Sequence, residues 1–290
     1  MTAAPPTIDW VVLTRGNRPD ELSLAVASLL EHSGSDDRVV VVANGADDVD
    51  LPDAPGVELV TAEQNLGVPG GRDLGARSGR ADVVAFLDDD AVLLGSAERI
   101  RQAFDEEPEV GAVSLRLVDE EGRSLARHVP RLGGSDPTVG GAVAYFLGGA
   151  SAIRRTAYDE VGGYFIDLFY GHEEIELSWR LIDAGWSIRY LADVAVAHPH
   201  TEISRHAEGW RLTGRNRVWV ARRTLPWPVA VAHTLAWLVL GLVRSGGSRR
   251  SYATGWWSGW RTDWPSGAPR RPIAWRTVWR LTRLGRPPIV

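Results

Sequence analysis

The stretch Ala81–Asp90, ADVVAFLDDD, decides the fold. An apolar run of strand length stops at three consecutive carboxylates, the pattern of a buried strand that ends in a polar loop. The same pattern occurs upstream. Residues 8–13 (IDWVVL) run into Thr14-Arg15-Gly16-Asn17, Arg38–Ala43 runs into Asn44-Gly45, and Val57–Thr61 is a further extended run. Helical spacing separates these runs. Residues 19–32 place Leu22, Val26, Leu29 and Leu30 on one stripe behind Pro19, and residues 69–79 form a helix reached through glycines. Val-rich strands alternating with helices predict a parallel sheet covered on both faces. Ligands of such sheets sit beyond the carboxyl ends of the strands, where Asp88, Asp89 and Asp90 stand. Asp88 and Asp90 are two apart and share one side while the chain stays extended. Such a pair is a hard oxygen site suited to Mg2+ or Mn2+ on a diphosphate, or else a solvated acidic turn.

Further along, residues 95–107 read as helix, 110–118 as extended and 122–142 as loop-rich. Tyr145–Ile153 is apolar around Gly148-Gly149, residues 172–184 form a helix closed by Gly185, and 188–198 are extended. Three groups could carry chemistry. Asn65-Leu66-Gly67-Val68-Pro69-Gly70-Gly71-Arg72 leads into a helix, so its backbone N–H groups and Arg72 can face an anion; a plain tight turn would look the same. Glu173, Glu174 and Glu176 open the helix at 172–184. The helix dipole explains any one of them, but three exceed what a cap needs, and a carboxylate near the crevice could deprotonate a hydroxyl. His198 and His200 end the next extended run and could join the carboxylates around a metal ion.

The net charge of -5 over 290 residues hides an asymmetry. All 32 basic residues are arginine. Residues 1–204 hold 16 arginines against 35 acids, a balance of -19. Residues 205–290 hold 16 arginines against Glu208 and Asp263, a balance of +14, together with 10 of the 13 tryptophans. The chain divides accordingly into residues 1–204 and a helical region, 205–290, that is membrane-associated or oligomerising. At 44% hydrophobic and 24% charged the composition is globular, and zero cysteine excludes disulfides, CxxC redox chemistry and thiolate zinc. MTAAPPTIDW lacks the form of a secretory signal, so the expected location is the cytoplasm. Val229–Val243 spans about 22 Å as a helix, short of a bilayer core of about 30 Å. In 272–284, Arg276, Arg280 and Arg283 share one face, while Trp275, Val278 and Trp279 lie opposite, as in a helix resting in a membrane interface. The expectation is peripheral contact with the inner membrane face; packing on the acidic domain or in a homo-oligomer is the alternative. No recognition motif accompanies the arginines, so nucleic acid is not expected as a partner.

In order, these pieces resemble the family 2 glycosyltransferases of the GT-A fold, most closely bacterial rhamnosyl- and galactofuranosyl-transferase-like members. The resemblance rests on TRGNRPDEL, NLGVPGGRDLGA, FLDDDA, FLGGASAIRR, GGYFIDLFYGHEEIELSWRLIDAGW and VAVAHPH, roughly residues 7–225. It implies that Asp88 contacts the ribose or base, with Asp89 beside it, and that Asp90 binds Mn2+ or Mg2+. Thr14, Arg15, Asn17 and Asn44 would line the base and ribose pocket, and Asn65, Gly67 and Arg72 the diphosphate side. Gly148 and Gly149 would flank donor sugar and acceptor, Glu174 would be the catalytic base with Glu173 as rival, and His198 or His200 a metal contact. Two departures stand out. Ala43 occupies the family's usual acidic position before Asn-Gly, where Asp47 could substitute, and the base is Glu rather than Asp. The resemblance implies an inverting, metal-dependent transfer of sugar from a nucleotide-sugar donor to a glycan or lipid-linked acceptor in cell-surface polysaccharide synthesis. The alternatives are a GT-A-like nucleotidyltransferase and an inactive membrane or assembly adaptor.

Overall fold

A computed structural model describes residues 4–125, 128–131, 136–199 and 208–289. The first four strands are β1 (Ile8–Thr14), β2 (Arg38–Asn44), β3 (Val57–Ala62) and β4 (Val83–Asp88), with helices α1 (Pro19–His32) and α2 (Gly67–Ser78) between them. β1 pairs in parallel with both β2 and β4, and β2 with β3. Then follow β5 (Val92–Leu93), α3 (Glu98–Glu106), β6 (Val110–Val118), β7 (Gly141–Ala142), β8 (Ala150–Arg154), α4 (Arg155–Val161), α5 (Glu173–Asp183) and β9 (Ser187–Ala197). The described strands form one sheet in the order β3-β2-β1-β4-β8-β6-β9-β5, with β7 on β9. β8 is antiparallel to β4 and to β6, so the sheet is mixed, not all-parallel as the alternation predicts. Strand direction leaves no mark on apolar periodicity, which is why β8 reads only as an apolar run.

Successive residues of β1 enter different cores. Val11 packs with Val40, Val42 and Phe86 under α2, α4 and α5, whereas Trp10 and Val12 pack with Leu22, Val26 and Leu29 of α1 and Phe104 of α3. Each fully buried aliphatic side chain is worth about 1.5–3 kcal/mol, enough to hold both helix layers. Leu30 of the predicted stripe is instead 38% exposed.

The remaining helices are α6 (Gly209–Thr224), α7 (Trp227–Arg244), α8 (Arg249–Arg261) and α9 (Trp275–Arg283). Trp219, Val229, Ala230 and Leu281 belong to the same apolar core as Val11 and Phe86, so α6, α7 and α9 pack directly on the sheet-bearing part. The buried Glu176 of α5 binds Arg180 at 2.6 Å and also Arg223 of α6. α6 and α8 approach backbone to backbone, since a Cβ on Gly255 would lie 1.9 Å from the Arg211 carbonyl oxygen. On α9, Thr277 and Leu281 face the protein and Trp275 and Trp279 face outward. Arg280 turns back to the Ile182 and Gly185 carbonyls, so it does not join an outer basic face.

Candidate active site

The chain turns immediately after β4, with the Ala91 N–H donating to the Asp88 carbonyl at 3.0 Å. β5 then pairs with the end of β9, which brings the aspartate turn against His198. Asp88 and Asp90 lie 3.5 and 3.3 Å from His198 Nε2. One ligand atom from each of the three falls within 4.8 Å of the others, a set that can hold a metal ion. His198 Nδ1 sits 2.7 Å from the Pro199 carbonyl oxygen, which leaves Nε2 to face the carboxylates. Burial opposes charge on His198, but hydrogen bonds and charges from Asp88 and Asp90 outweigh it and lift its pKa to about 10. Burial likewise opposes ionisation of Asp88, yet Arg72 and His198 hold it well below the usual carboxylate range. The donor set of two carboxylates and an imidazole fits a divalent cation, and loading one requires His198 to release its proton. His200, the rival ligand, lies outside the described residues.

Asp89 points the other way. It is buried and accepts a hydrogen bond from the Thr14 hydroxyl at 2.7 Å. Arg18 bonds Asp90 and lies 3.4 Å from Asp89. The sequence reading missed Arg18, whose one signal is its place in the β1–α1 loop directly before Pro19. A cleft of about 440 Å3 opens between this turn and the loop before α2, lined by Thr14, Arg15, Asn44, Asn65, Gly67 and Asp88–Asp90 among others. Several of these groups are already engaged. The Asn44 amide donates to Asn65 and the Gly67 carbonyl, both at 3.1 Å, and accepts from the Leu66 N–H at 2.8 Å. Asn65 accepts from the Gly67 N–H at 2.9 Å. Thr14 accepts from the Gly16 N–H at 3.1 Å while it donates to Asp89. These side chains shape the cleft wall more than they offer free donors. Asn17 and Asp47 are exposed and do not line the cleft, and Ala43 is buried.

Across from the aspartates, α5 starts at the paired acids. The lead-in is held in a conformation that non-glycine residues rarely adopt, with φ of 63° at Phe169 and 74° at His172. Asn216 of α6 holds it there, its amide nitrogen lying within 2.9 Å of the carbonyl oxygens of Leu168, Tyr170 and Gly171. Sequence reading missed Asn216, because its three partners are more than forty residues away. The result presents Glu173, buried, and Glu174, whose side chain is 24% exposed. Burial, the Glu174 charge and Asp88 push Glu173 up to about 8 against the pull of Arg72. Burial also raises Glu174, again opposed by Arg72. Glu176, the third acid, is consumed by Arg180 and Arg223. Arg72 joins the two halves of the site, 2.7 Å from Asp88, 3.6 Å from Glu174 and 3.8 Å from Glu173. Gly148 and Gly149 make that junction sterically possible. A Cβ at Gly148 would lie 2.2 Å from Glu174 Oε1, and one at Gly149 would lie 2.0 Å from Asp88 Oδ2.

A second chamber of about 420 Å3 adjoins the first and shares Val68, Asp88 and Tyr170 with it. Glu173, Glu174 and Arg72 form one wall and Trp210, Arg217, Trp237 and Tyr252 the other. Helices α6, α7 and α8 therefore line the candidate site.

A parallel β1–β4 unit with carboxylates at its switch edge, facing an acid-headed helix, defines the GT-A fold. The chain belongs to glycosyl transferase family 2, whose family model matches residues 10–162. It is 31% identical over 216 residues to the Pre-mycofactocin glycosyltransferase of Mycobacterium tuberculosis, covering 68% of this chain and 43% of that protein. It is 24% identical over 186 residues to the O-antigen chain rhamnosyltransferase RfbN of Salmonella typhimurium, covering 58% of this chain and 59% of that protein. The chain thus spans less than two thirds of the length of either relative. The mannosyltransferase PcManGT from Pyrobaculum calidifontis, solved with GDP-Man and Mn2+, shares the fold with a TM-score of 0.57 at 16% identity, over 97% of this chain and 80% of that one.

Proposed function

We propose that this chain is an inverting glycosyltransferase that moves a sugar from a nucleotide-sugar donor to a hydroxyl of a glycan or lipid-linked acceptor in cell-surface glycan synthesis. The observation that carries the reading is the placement of Asp88, Asp90 and His198 on one side of Arg72 and of Glu173 and Glu174 on the other. A nucleoside diphosphate fits the first cleft, and its sugar reaches past Gly149 toward the second chamber. Glu174 is the base: its side chain is 24% exposed against 3% for Glu173, so it is the carboxylate an acceptor hydroxyl can reach. Glu174 takes the acceptor hydroxyl proton as the oxygen forms its bond to the anomeric carbon, and the bond from that carbon to the diphosphate oxygen breaks with its electron pair on the leaving group. Arg72 and Arg18 supply fixed positive charge near the leaving diphosphate. Mn2+ or Mg2+ held by Asp88, Asp90 and His198 would supply further charge neutralisation there.

A thermal-shift screen of nucleoside diphosphates and nucleotide-sugars, with and without Mn2+, tests donor and metal together. Stabilisation by one nucleotide series that requires Mn2+ and is lost in Asp90→Ala is expected. Glu174→Gln should retain donor binding and lose about 10²–10⁴-fold in turnover. Full turnover in that variant would remove Glu174 from the mechanism, and pyrophosphate as the product would instead support a nucleotidyltransferase.

We also infer peripheral attachment to the inner membrane face. α7 has 18 residues, about 27 Å of helix, and by length and composition alone could cross a membrane. Trp237, Gly241 and Arg244 on one face line the second chamber. The other face is exposed as Trp227, Val231, Leu235, Val239 and Val243, four residues apart throughout. A helix with one protein-facing side and one apolar outer side supports lying in the interface over spanning it.

A further inference from the structure

Buried arginines in this molecule come with carboxylates: Arg72 with Asp88, Arg101 with Asp37, Arg180 and Arg223 with Glu176. Arg217, half-buried, is held differently. It leaves α6 for the second chamber, and its guanidinium lies over the Trp237 ring at 3.5 Å. Its Nε is enclosed and has no hydrogen-bond acceptor, and no carboxylate pairs with it among the described residues. Burial and the like charges of Arg244 and Arg286 disfavour its charge, and the Tyr252 phenol, the strongest electrostatic influence after burial, opposes them. Arg244 lines the same chamber at 5.0 Å from the same indole. Arg286 reaches Tyr145 at 3.1 Å, and its Nε is likewise unpartnered. Enclosing a guanidinium without an anion costs stability, and three close together repel one another. The Trp237 ring face offsets part of that cost but gives the guanidinium N–H groups no oxygen acceptor.

We propose that Arg217 and Arg244 receive a phosphate or diphosphate group of the acceptor, with Trp210, Trp237 and Tyr252 packing the organic part joined to it. The proposal rests on the reading of the second chamber as the acceptor site. Two guanidinium groups beside the same indole present several N–H donors, which suits a tetrahedral phosphate with several oxygens better than one planar carboxylate. The outer face of the same α7 carries the exposed apolar stripe, so a phosphate bound at Arg244 lies beside the surface inferred to meet lipid. The acceptor class that meets both conditions is a sugar on a lipid-linked phosphate or diphosphate.

Calorimetric titration of the full chain tests this without turnover. Farnesyl diphosphate is the probe, farnesol the uncharged control and glucuronate the carboxylate control, all in EDTA to keep the diphosphate off the aspartate–histidine set. The expected result is binding of the diphosphate at least about 10-fold tighter than of farnesol, weakened about 10-fold or more in Arg244→Gln and in Arg217→Lys. Arg244 is exposed, so its variant folds even if Arg217→Lys does not. Equal affinity for farnesol, a preference for glucuronate, or loss on Asp90→Ala with Arg244→Gln unaffected would each overturn the proposal. If diphosphate binds as expected while Glu174→Gln turns over normally, the anion site stands and the acceptor-chamber reading fails. If diphosphate does not bind while Glu174→Gln is inactive, the reverse holds.

Discussion

Gly149 sets how closely β8 can pass the carboxylate that ends β4. A methyl group there would sit 2.0 Å from Asp88 Oδ2 and 2.2 Å from its Cγ, so Asp88 must swing away from Arg72 and His198. Gly149→Ala should therefore weaken the Mn2+ response of the thermal-shift assay by about 10–100-fold while the metal-free melting temperature stays close to that of the parent. An unchanged Mn2+ titration would show that Asp88 is not a ligand. Glu173 gives a prediction in pH. Its folded pKa of about 8 lies above the ordinary value of 4.5, so between the two the folded state holds a proton that the unfolded state has lost. Its contribution to stability consequently falls as pH rises through that window. Glu173→Gln keeps the shape and removes the titration. Urea unfolding should show the variant gaining on the parent between about pH 4.5 and about pH 8, and parallel pH profiles would contradict the buried, raised carboxyl.

At the scale of elements, the buried pairing of Glu176 with Arg180 and Arg223 fastens α6 to α5. Removing the carboxylate leaves two guanidinium groups buried together, a loss of about 3–5 kcal/mol. Glu176→Ala should lower stability by that amount in denaturant titration, and a cost under about 1 kcal/mol would mean that α6 docks by apolar packing alone. This pair also illustrates what a sequence can reveal. Strands β1, β2 and β4 are legible because burial on both faces writes a continuous apolar run, and the acids at Asp88–Asp90 and Glu173–Glu174 are legible because they interrupt such patterns. The separate fate of Glu176 is not, since it depends on Arg223, forty-seven residues on. Asn216, Arg18 and Arg217 are hidden for the same reason: each acts through partners that only the fold brings near. Thr14, Asn44 and Asn65 line the first cleft, yet their hydrogen bonds turn inward to the loops.

For the whole molecule, the acidic and basic parts are packed together, yet the basic part is not used up by that contact. Arg249, Arg250, Arg276 and Arg283 remain exposed, and Trp257, Trp275 and Trp279 are 52%, 54% and 65% exposed. With the α7 stripe they form the combination that anionic lipid attracts, each arginine near the surface being worth about 1 kcal/mol and the apolar residues adding burial in the acyl boundary. Truncation after α6 would be a poor test, because Ile273 and Leu281 belong to the core beneath α5. Leu235 and Val239 are 53% and 62% exposed, so Leu235→Glu with Val239→Glu should leave the fold and donor binding intact. Flotation with anionic vesicles should fall about 10-fold or more in that double variant, and binding of the parent should weaken as salt shortens the range of the arginine charges. A stripe covered by a second copy of the chain predicts otherwise: the parent would run as a dimer in size-exclusion chromatography, the double variant as a monomer, and flotation would not depend on the substitutions. Equal flotation of parent and variant would therefore remove α7 from the membrane contact, whatever the arginines contribute.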